Sequence, residues 1–240
     1  MKAIRTKNLT KSFGNRVAVD HININVEPGE IFGFLGPNGA GKTTTIRMLT
    51  GQLFPTSGSA TVAGYDIVSQ RKYITSQIGV VFEHQNLYER LSARDNLNFM
   101  RNLYGIGRDR VDEVLKLVGL DDRASEMVKK YSNGMKQRLL IARSLLHEPS
   151  ILFLDEPTSG LDPLMAHEIR QLITDLGRNG STIFLTTHSM EEADQLSNRV
   201  ALIDHGRIIA MDAPTRLKQN HGPTLEDVFL HLVTSQNKSR

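Results

Sequence analysis

The chain has 240 residues, with 29 Lys and Arg against 26 Asp and Glu, a formal net charge of +3. That length allows one large or two small domains with a sizeable core, and leaves no room for two large nucleotide-binding units. With no cysteine, the chain has no disulfide framework, thiolate metal site or cysteine nucleophile.

Apolar runs such as ILFL at 151–154 fall far short of the roughly 18 residues that mark a membrane span. The opening MKAIRTKNLTK places charges where a signal peptide needs an apolar core. The expectation is a chain that neither crosses a bilayer by itself nor is secreted. Basic residues are scattered, apart from Lys129, Lys130, Lys136 and Arg138. That cluster reads as solvated surface, and no nucleic acid is expected as a partner.

Taken in order, residues 3–9 and 17–26 read as strands, the second from Ile22, Ile24 and Val26 alternating with polar residues. The apolar IFGFL at 31–35 suits a buried central strand, and 42–51 reads as a helix. Short strands are predicted near 59–63 and 78–82. From Ser92 to about His147 the pattern is mostly helical: Leu97, Met100, Leu103 and Tyr104 share one face, and Val111, Val114, Leu115 and Val118 another. After Pro149 strands and helices alternate again: SILFL, a helix over 163–178, STIFLTT, a helix near 189–195, then VALID and RIIAM. Such alternation predicts an α/β protein with a parallel sheet, interrupted by a helical insert of about 60 residues.

Residues 36–44 read GPNGAGKTT, fitting G-x-x-x-x-G-K-S/T, after a buried strand and at the start of a helix. Triphosphate oxygens need many donors at close range. The backbone of Gly36, Pro37, Asn38, Gly39, Ala40 and Gly41 can approach them, and the helix start adds its partial positive charge. Lys42 supplies a cation to the β and γ phosphates, and Thr43, followed by Thr44, offers a hydroxyl to Mg²⁺. The run ILFLDEP delivers Asp155 and Glu156 at the carboxyl end of a strand, where sheet ligands bind. Asp155 would hold Mg²⁺, and Glu156 would polarise the attacking water as general base.

Upstream, YSNGMKQR at 131–138 opens a helix over 132–147, with Ser132 as N-cap and Met135, Leu139, Ala142 and Leu146 on one face. With the phosphate loop and the acidic pair, this segment makes the chain resemble the ATP-binding subunit of ABC (ATP-binding cassette) transporters along nearly its whole length. The resemblance implies a RecA-like phosphate-loop core with an N-terminal antiparallel β subdomain and an inserted α-helical subdomain. It divides the chain into a single domain at 1–234, a core at 1–85 and 148–220, a helical part at 86–147, a C-terminal helix at 221–234, and a frayed tail at 235–240.

Residue by residue, it implies that Ser132, Asn133 and Gly134 contact the γ-phosphate bound to an opposite subunit. Asn133 stands where the family usually has glycine, and is expected to tolerate a left-handed backbone there. Phe13 matches the aromatic that stacks on adenine. Ser159, Gly160, Leu161 and Asp162 match the loop that crosses the dimer interface, and His188 matches the switch histidine at the γ-phosphate. The glutamine loop should begin after IGVVF, where this chain has Glu83, with Gln85 two residues on. Either Glu83 fills the Mg²⁺-side role or a local shift brings in Gln85; register favours Glu83.

The ending PTLEDVFLHLV, with Leu225, Val228, Phe229 and Leu232 at helical spacing and Thr224 and Asp227 as a capping pair, resembles bacterial drug and antibiotic exporter ATPases. The reading is therefore a Mg²⁺-dependent ATPase bound to ATP, paired as a homodimer or with a second ATPase subunit. It would drive export by separate integral membrane subunits from the cytoplasmic face of the cell membrane. A soluble ABC-type ATPase in protein or cofactor assembly is the alternative. A GTPase is disfavoured, because the only N-K pair, Asn237 and Lys238, is followed by Ser239 and Arg240 rather than by the aspartate of N-K-x-D.

Overall fold

A computed structural model describes residues 2–83 and 87–237. The first strand, β1 (Ile4–Phe13), pairs antiparallel with β2 (Arg16–Ile22) through its second half and with β3 (Asn25–Val26) through its first. The single strand expected over 17–26 is thus two. The long β1 changes partner along its length, with register shifts after Leu9 and Lys11, and His21 turns to a positive φ at the break. β5 (Ser57–Val62) and β6 (Tyr65–Asp66) complete this antiparallel layer.

The second sheet holds six strands: β4 (Ile31–Leu35), β7 (Ile78–Val81), β8 (Ile151–Asp155), β9 (Thr182–Thr187), β10 (Arg199–Asp204) and β11 (Arg207–Asp212). Their order is β11-β10-β4-β9-β8-β7. β4, β7, β8, β9 and β10 run parallel, as alternation with helices predicts, whereas β11 pairs antiparallel with β10. Only the two-residue turn of His205 and Gly206 separates β10 from β11, and a parallel return needs a crossover. All residues of β4, β8 and β9 are buried, consistent with a parallel sheet covered on both faces. Phe32, Phe34, Phe153 and Phe184 cluster on one of those faces, with ring centroids 5.6 Å apart in each contact to Phe184.

Between β4 and β7 lie α1 (Lys42–Leu49) and the short α2 (Arg71–Ile74), the latter not predicted. The helical insert contains α3 (Ala93–Tyr104), α4 (Asp109–Leu117), a 3₁₀ turn at Val128–Lys130 and α5 (Asn133–Leu145). Leu97, Val111, Val114, Leu115, Val118 and Leu139 join one core that continues into Leu152 and Leu154 of β8. The predicted face of α3 is only partly inside, since Leu103 is 68% exposed.

After β8 come α6 (Pro163–Arg178), α7 (Met190–Leu196), α8 (Pro214–His221) and α9 (Leu225–Asn237). α8 was not predicted, and α9 runs through positions expected to fray. Leu225 and Val228 are buried in one cluster with Val200 and Leu202 of β10 and Leu217 of α8, as their spacing predicts. No helix among the described residues is long and apolar enough to cross a membrane.

Candidate functional site

β4 ends at Leu35, and the phosphate loop turns from it into α1. Its glycines answer steric demands: a Cβ on Gly36 would stand 2.2 Å from the Ile203 carbonyl oxygen, and Gly41 has φ 110 with Ala18 O 2.5 Å from where its Cβ would be. Neither site accepts a side chain without moving backbone. Lys42, 6% exposed, donates from Nζ to Gly36 O (2.7 Å) and Pro37 O (3.3 Å). Its ammonium also lies 3.0 Å from Glu156 Oε1, an ion-pair contact whose angle closes no hydrogen bond on that oxygen.

The acidic pair stands opposite. Asp155, the last residue of β8, is 1% exposed; its Oδ1 accepts from Thr186 Oγ1 (2.6 Å) and from Thr43 Oγ1 (3.3 Å). Burial pushes the Asp155 carboxyl above the ordinary range. The two threonine hydroxyls oppose this, while the Glu156 and Glu83 carboxylates add to it. Asp155 and Thr43 set a carboxylate beside a hydroxyl, hard oxygen donors of the kind Mg²⁺ takes.

Glu156 has φ 52, a left-handed backbone unusual outside glycine. The strain is held because Glu156 N donates to Thr186 O (3.0 Å) and to Thr186 Oγ1 (3.2 Å). Glu156 Oε2 accepts from His188 N (3.2 Å) and meets the His188 ring Nδ1 at 2.8 Å. The ends of β4, β8 and β9 therefore bring Lys42, Thr43, Asp155, Glu156 and His188 into one constellation, from sequence positions up to 146 residues apart.

A cleft of about 470 Å³ opens over this constellation, lined by Phe13, Arg16, Ala18, Asn38, Gly39, Gly41, Lys42, Thr43, Thr44, Glu83 and Glu156. Phe13 is 51% exposed, so it is a cleft-edge ring rather than a core residue, and Lys11 Nζ stands 5.1 Å from its centroid. Glu83 lines the cleft; Gln85, the other candidate for its role, lies outside the described residues.

Ser132, Asn133 and Gly134 do not line the cleft. They sit at the start of α5, where Ser132 Oγ accepts from Met135 N (3.2 Å). Such a cap contributes about 1 kcal/mol. The left-handed backbone expected at Asn133 is not there: it is the first residue of α5, without a positive φ. Helical geometry demands nothing of glycine at that position. Gly134 has little room for a side chain for another reason, since a Cβ would stand 2.9 Å from Met165 Cβ of α6. Asp162 caps α6 by accepting from Met165 N (3.0 Å).

Sequence reasoning missed Arg16 and Thr186. Arg16 carries no signal beyond lying three residues after Phe13. Thr186 could have been noticed as a hydroxyl inside an otherwise apolar buried strand.

A family model described as ABC transporter matches residues 19–159. The chain belongs to the ABC transporter family. As an ABC ATP-binding domain it is 44% identical, over 98% of its own length and 76% of the relative's, to the bacitracin transport ATP-binding protein BcrA of Bacillus licheniformis. It is 41% identical to the daunorubicin/doxorubicin resistance ATP-binding protein DrrA of Streptomyces peucetius, over 98% of this chain and 72% of that one. The solved dimeric, post-hydrolysis structure of the ATP-binding cassette MJ0796, bound to ADP and Pi, superimposes with a TM-score of 0.77 at 28% identity. That match covers 88% of this ABC domain and 98% of the solved chain.

Proposed function

We propose that this ABC subunit hydrolyses ATP with Mg²⁺ and drives export of a drug- or antibiotic-like substrate through separate membrane-spanning subunits, from the cytoplasmic face of the cell membrane. The observation that carries the reading is the convergence of Lys42, Thr43, Asp155, Glu156 and His188 at one edge of the parallel sheet. The names of BcrA and DrrA support the export branch.

In this reading Phe13 stacks on adenine, which supplies affinity without reading the base edge. The backbone N–H groups of residues 38–44 wrap the phosphates, and Lys42 swings from the loop carbonyls to the β and γ oxygens. Thr43 and Asp155, with Glu83, would hold Mg²⁺, which supplies neutralisation of phosphate charge when bound. Glu156 accepts a proton from water as its oxygen bonds to the γ phosphorus; the bond from that phosphorus to the β-bridging oxygen breaks, leaving ADP and phosphate. His188 keeps the Glu156 carboxylate oriented and stands beside the developing charge.

A second ATPase chain, identical or different, placed head to tail would bring its Ser132, Asn133 and Gly134 to this cleft. Their helix start and hydroxyl suit an anion. The loop from Ser159 to Asp162 would lie at that interface. ATP would then favour the closed pair, and hydrolysis would release it.

Two results test the reading. Purified from membranes in mild detergent, the chain is expected to bring with it a hydrophobic multi-span protein; soluble partners alone would favour the assembly-ATPase alternative. At the cleft, Glu83→Ala is expected to lower basal ATPase activity about tenfold or more, while Gln85→Ala leaves it nearly intact. The reverse ranking would move the Mg²⁺-side role to Gln85.

A further inference from the structure

Glu192 lies one turn into α7 and lines no part of the cleft, yet its side chain is 2% exposed. Among the described residues no lysine or arginine forms an ion pair with it. Burial pushes its carboxyl above the ordinary range; the Thr187 and Thr158 hydroxyls and the Arg170 charge oppose that, and the Glu156 charge adds to it. A buried acid with no cation in ion-pair contact is costly to keep.

The sequence suggests a local use. Ser189, Met190, Glu191 and Glu192 read as S-x-x-E, the capping box in which the acid reaches back to the N–H of the cap residue. The structure assigns that work elsewhere. Ser189 Oγ does accept from Glu192 N (3.2 Å), but Ser189 N donates to Thr187 Oγ1 (3.0 Å) instead of to the acid. The freed carboxyl turns inward, where Oε1 accepts from Thr158 Oγ1 (2.7 Å). Its second oxygen, Oε2, is buried and closes no hydrogen bond.

Thr158 belongs to the loop that leaves Glu156 and ends at the α6 cap, Asp162. Within that loop Ser159 N donates to Glu156 O (3.1 Å) and Leu161 N to Thr158 O (3.2 Å). One buried carboxyl thus fastens the Glu156 loop to the turn that presents His188.

We propose that Glu192 is a positioning residue for hydrolysis: through Thr158 it holds the Glu156 loop against the end of β9, and so sets the contact between Glu156 Oε2 and His188 Nδ1. This rests on Glu156 acting as the base. Glu192 stands outside the cleft lining, so its removal leaves binding groups in place and displaces the reacting ones. Misplacement on the scale of 1 Å costs a reaction as much as about a hundredfold.

The test compares Glu192→Ala, Glu192→Gln, Thr158→Val and the Ala/Val double variant in the full chain, with Glu156→Gln run beside them. Glu192→Ala is expected to lower kcat about tenfold or more, with KM and the Kd for ATP changed by no more than about twofold. Glu192→Gln keeps an oxygen for Thr158 and recovers most of kcat. Thr158→Val, which retains side-chain shape, loses kcat like Glu192→Ala, and the double variant falls no lower than the worse single one. If Glu192→Ala does not fold, the Thr158→Val result decides. The proposal is overturned if Thr158→Val keeps kcat, if the losses multiply in the double variant, or if the glutamine does not rescue. Should Glu156→Gln itself turn over ATP normally, the base assignment fails; if Glu156→Gln is dead while Thr158→Val keeps kcat, only the positioning role fails.

Discussion

Glu156→Gln should stop ATP turnover while ATP still binds. A positioned general base contributes about 10²–10⁴-fold, so the expected loss in kcat is about a thousandfold. Glutamine has the shape of the acid it replaces, and its side-chain oxygen can still accept from His188 N, which now bonds Oε2 at 3.2 Å. What it loses is the negative charge that faces Lys42 Nζ at 3.0 Å. That change favours nucleotide: the lysine loses a competing anion, and the triphosphate loses a repelling one. ATP that is bound and not hydrolysed keeps the closed pair of subunits closed. The variant is therefore expected to elute as a dimer with ATP and Mg²⁺ and as a monomer without them. Turnover at the normal rate would remove Glu156 from the role of base. Turnover lost together with binding would show that the variant damaged the cleft and not the chemistry.

Lys42→Ala is expected to abolish tight ATP binding and also to destabilise the fold. The ammonium is buried against two loop carbonyls and one carboxylate. Truncating one partner of a buried charge pair costs about 3–5 kcal/mol; the low end applies, because His188 still bonds the other Glu156 oxygen. Loss of the phosphate cation costs binding about 3 kcal/mol, roughly a hundredfold in Kd. The two effects separate in the double variant Lys42→Ala with Glu156→Gln. Without the stranded carboxylate, thermal stability should largely return, whereas ATP affinity should not. Thermal unfolding and equilibrium nucleotide titration on the same samples read both. A single Lys42→Ala variant that binds ATP normally would refute the assigned contact.

Much of the site was legible because phosphate chemistry demands particular residues at fixed spacing. Gly36, Gly41, Lys42 and Thr43 had to follow a buried strand and open a helix, and they do. Asp155 and Glu156 had to end a buried strand, and β8 delivers them. The reading of Phe13 needed the fold, since a lone aromatic in a strand is as well suited to a core. Asn133 was misread because a motif departure was treated as a backbone problem, when the position is helical. The S-x-x-E run at Ser189 and Glu192 has an obvious local meaning that a neighbouring threonine takes over. No local pattern encodes Thr158, which comes from the loop after the neighbouring strand β8.

The sequence by itself determined the class of chemistry, the parallel sheet and the helical insert. Those follow from short-range rules: residue types at fixed spacing, and period-two and period-3.6 patterns. Only the tertiary structure decided which side chains meet: that Lys42 faces Glu156, that Thr186 holds Asp155, that Gly134 must admit Met165 of α6, and that Glu192 reaches Thr158. Those contacts join residues 31 to 114 positions apart. Their geometry depends on strand order, register and packing, to which separation along the chain gives no guide.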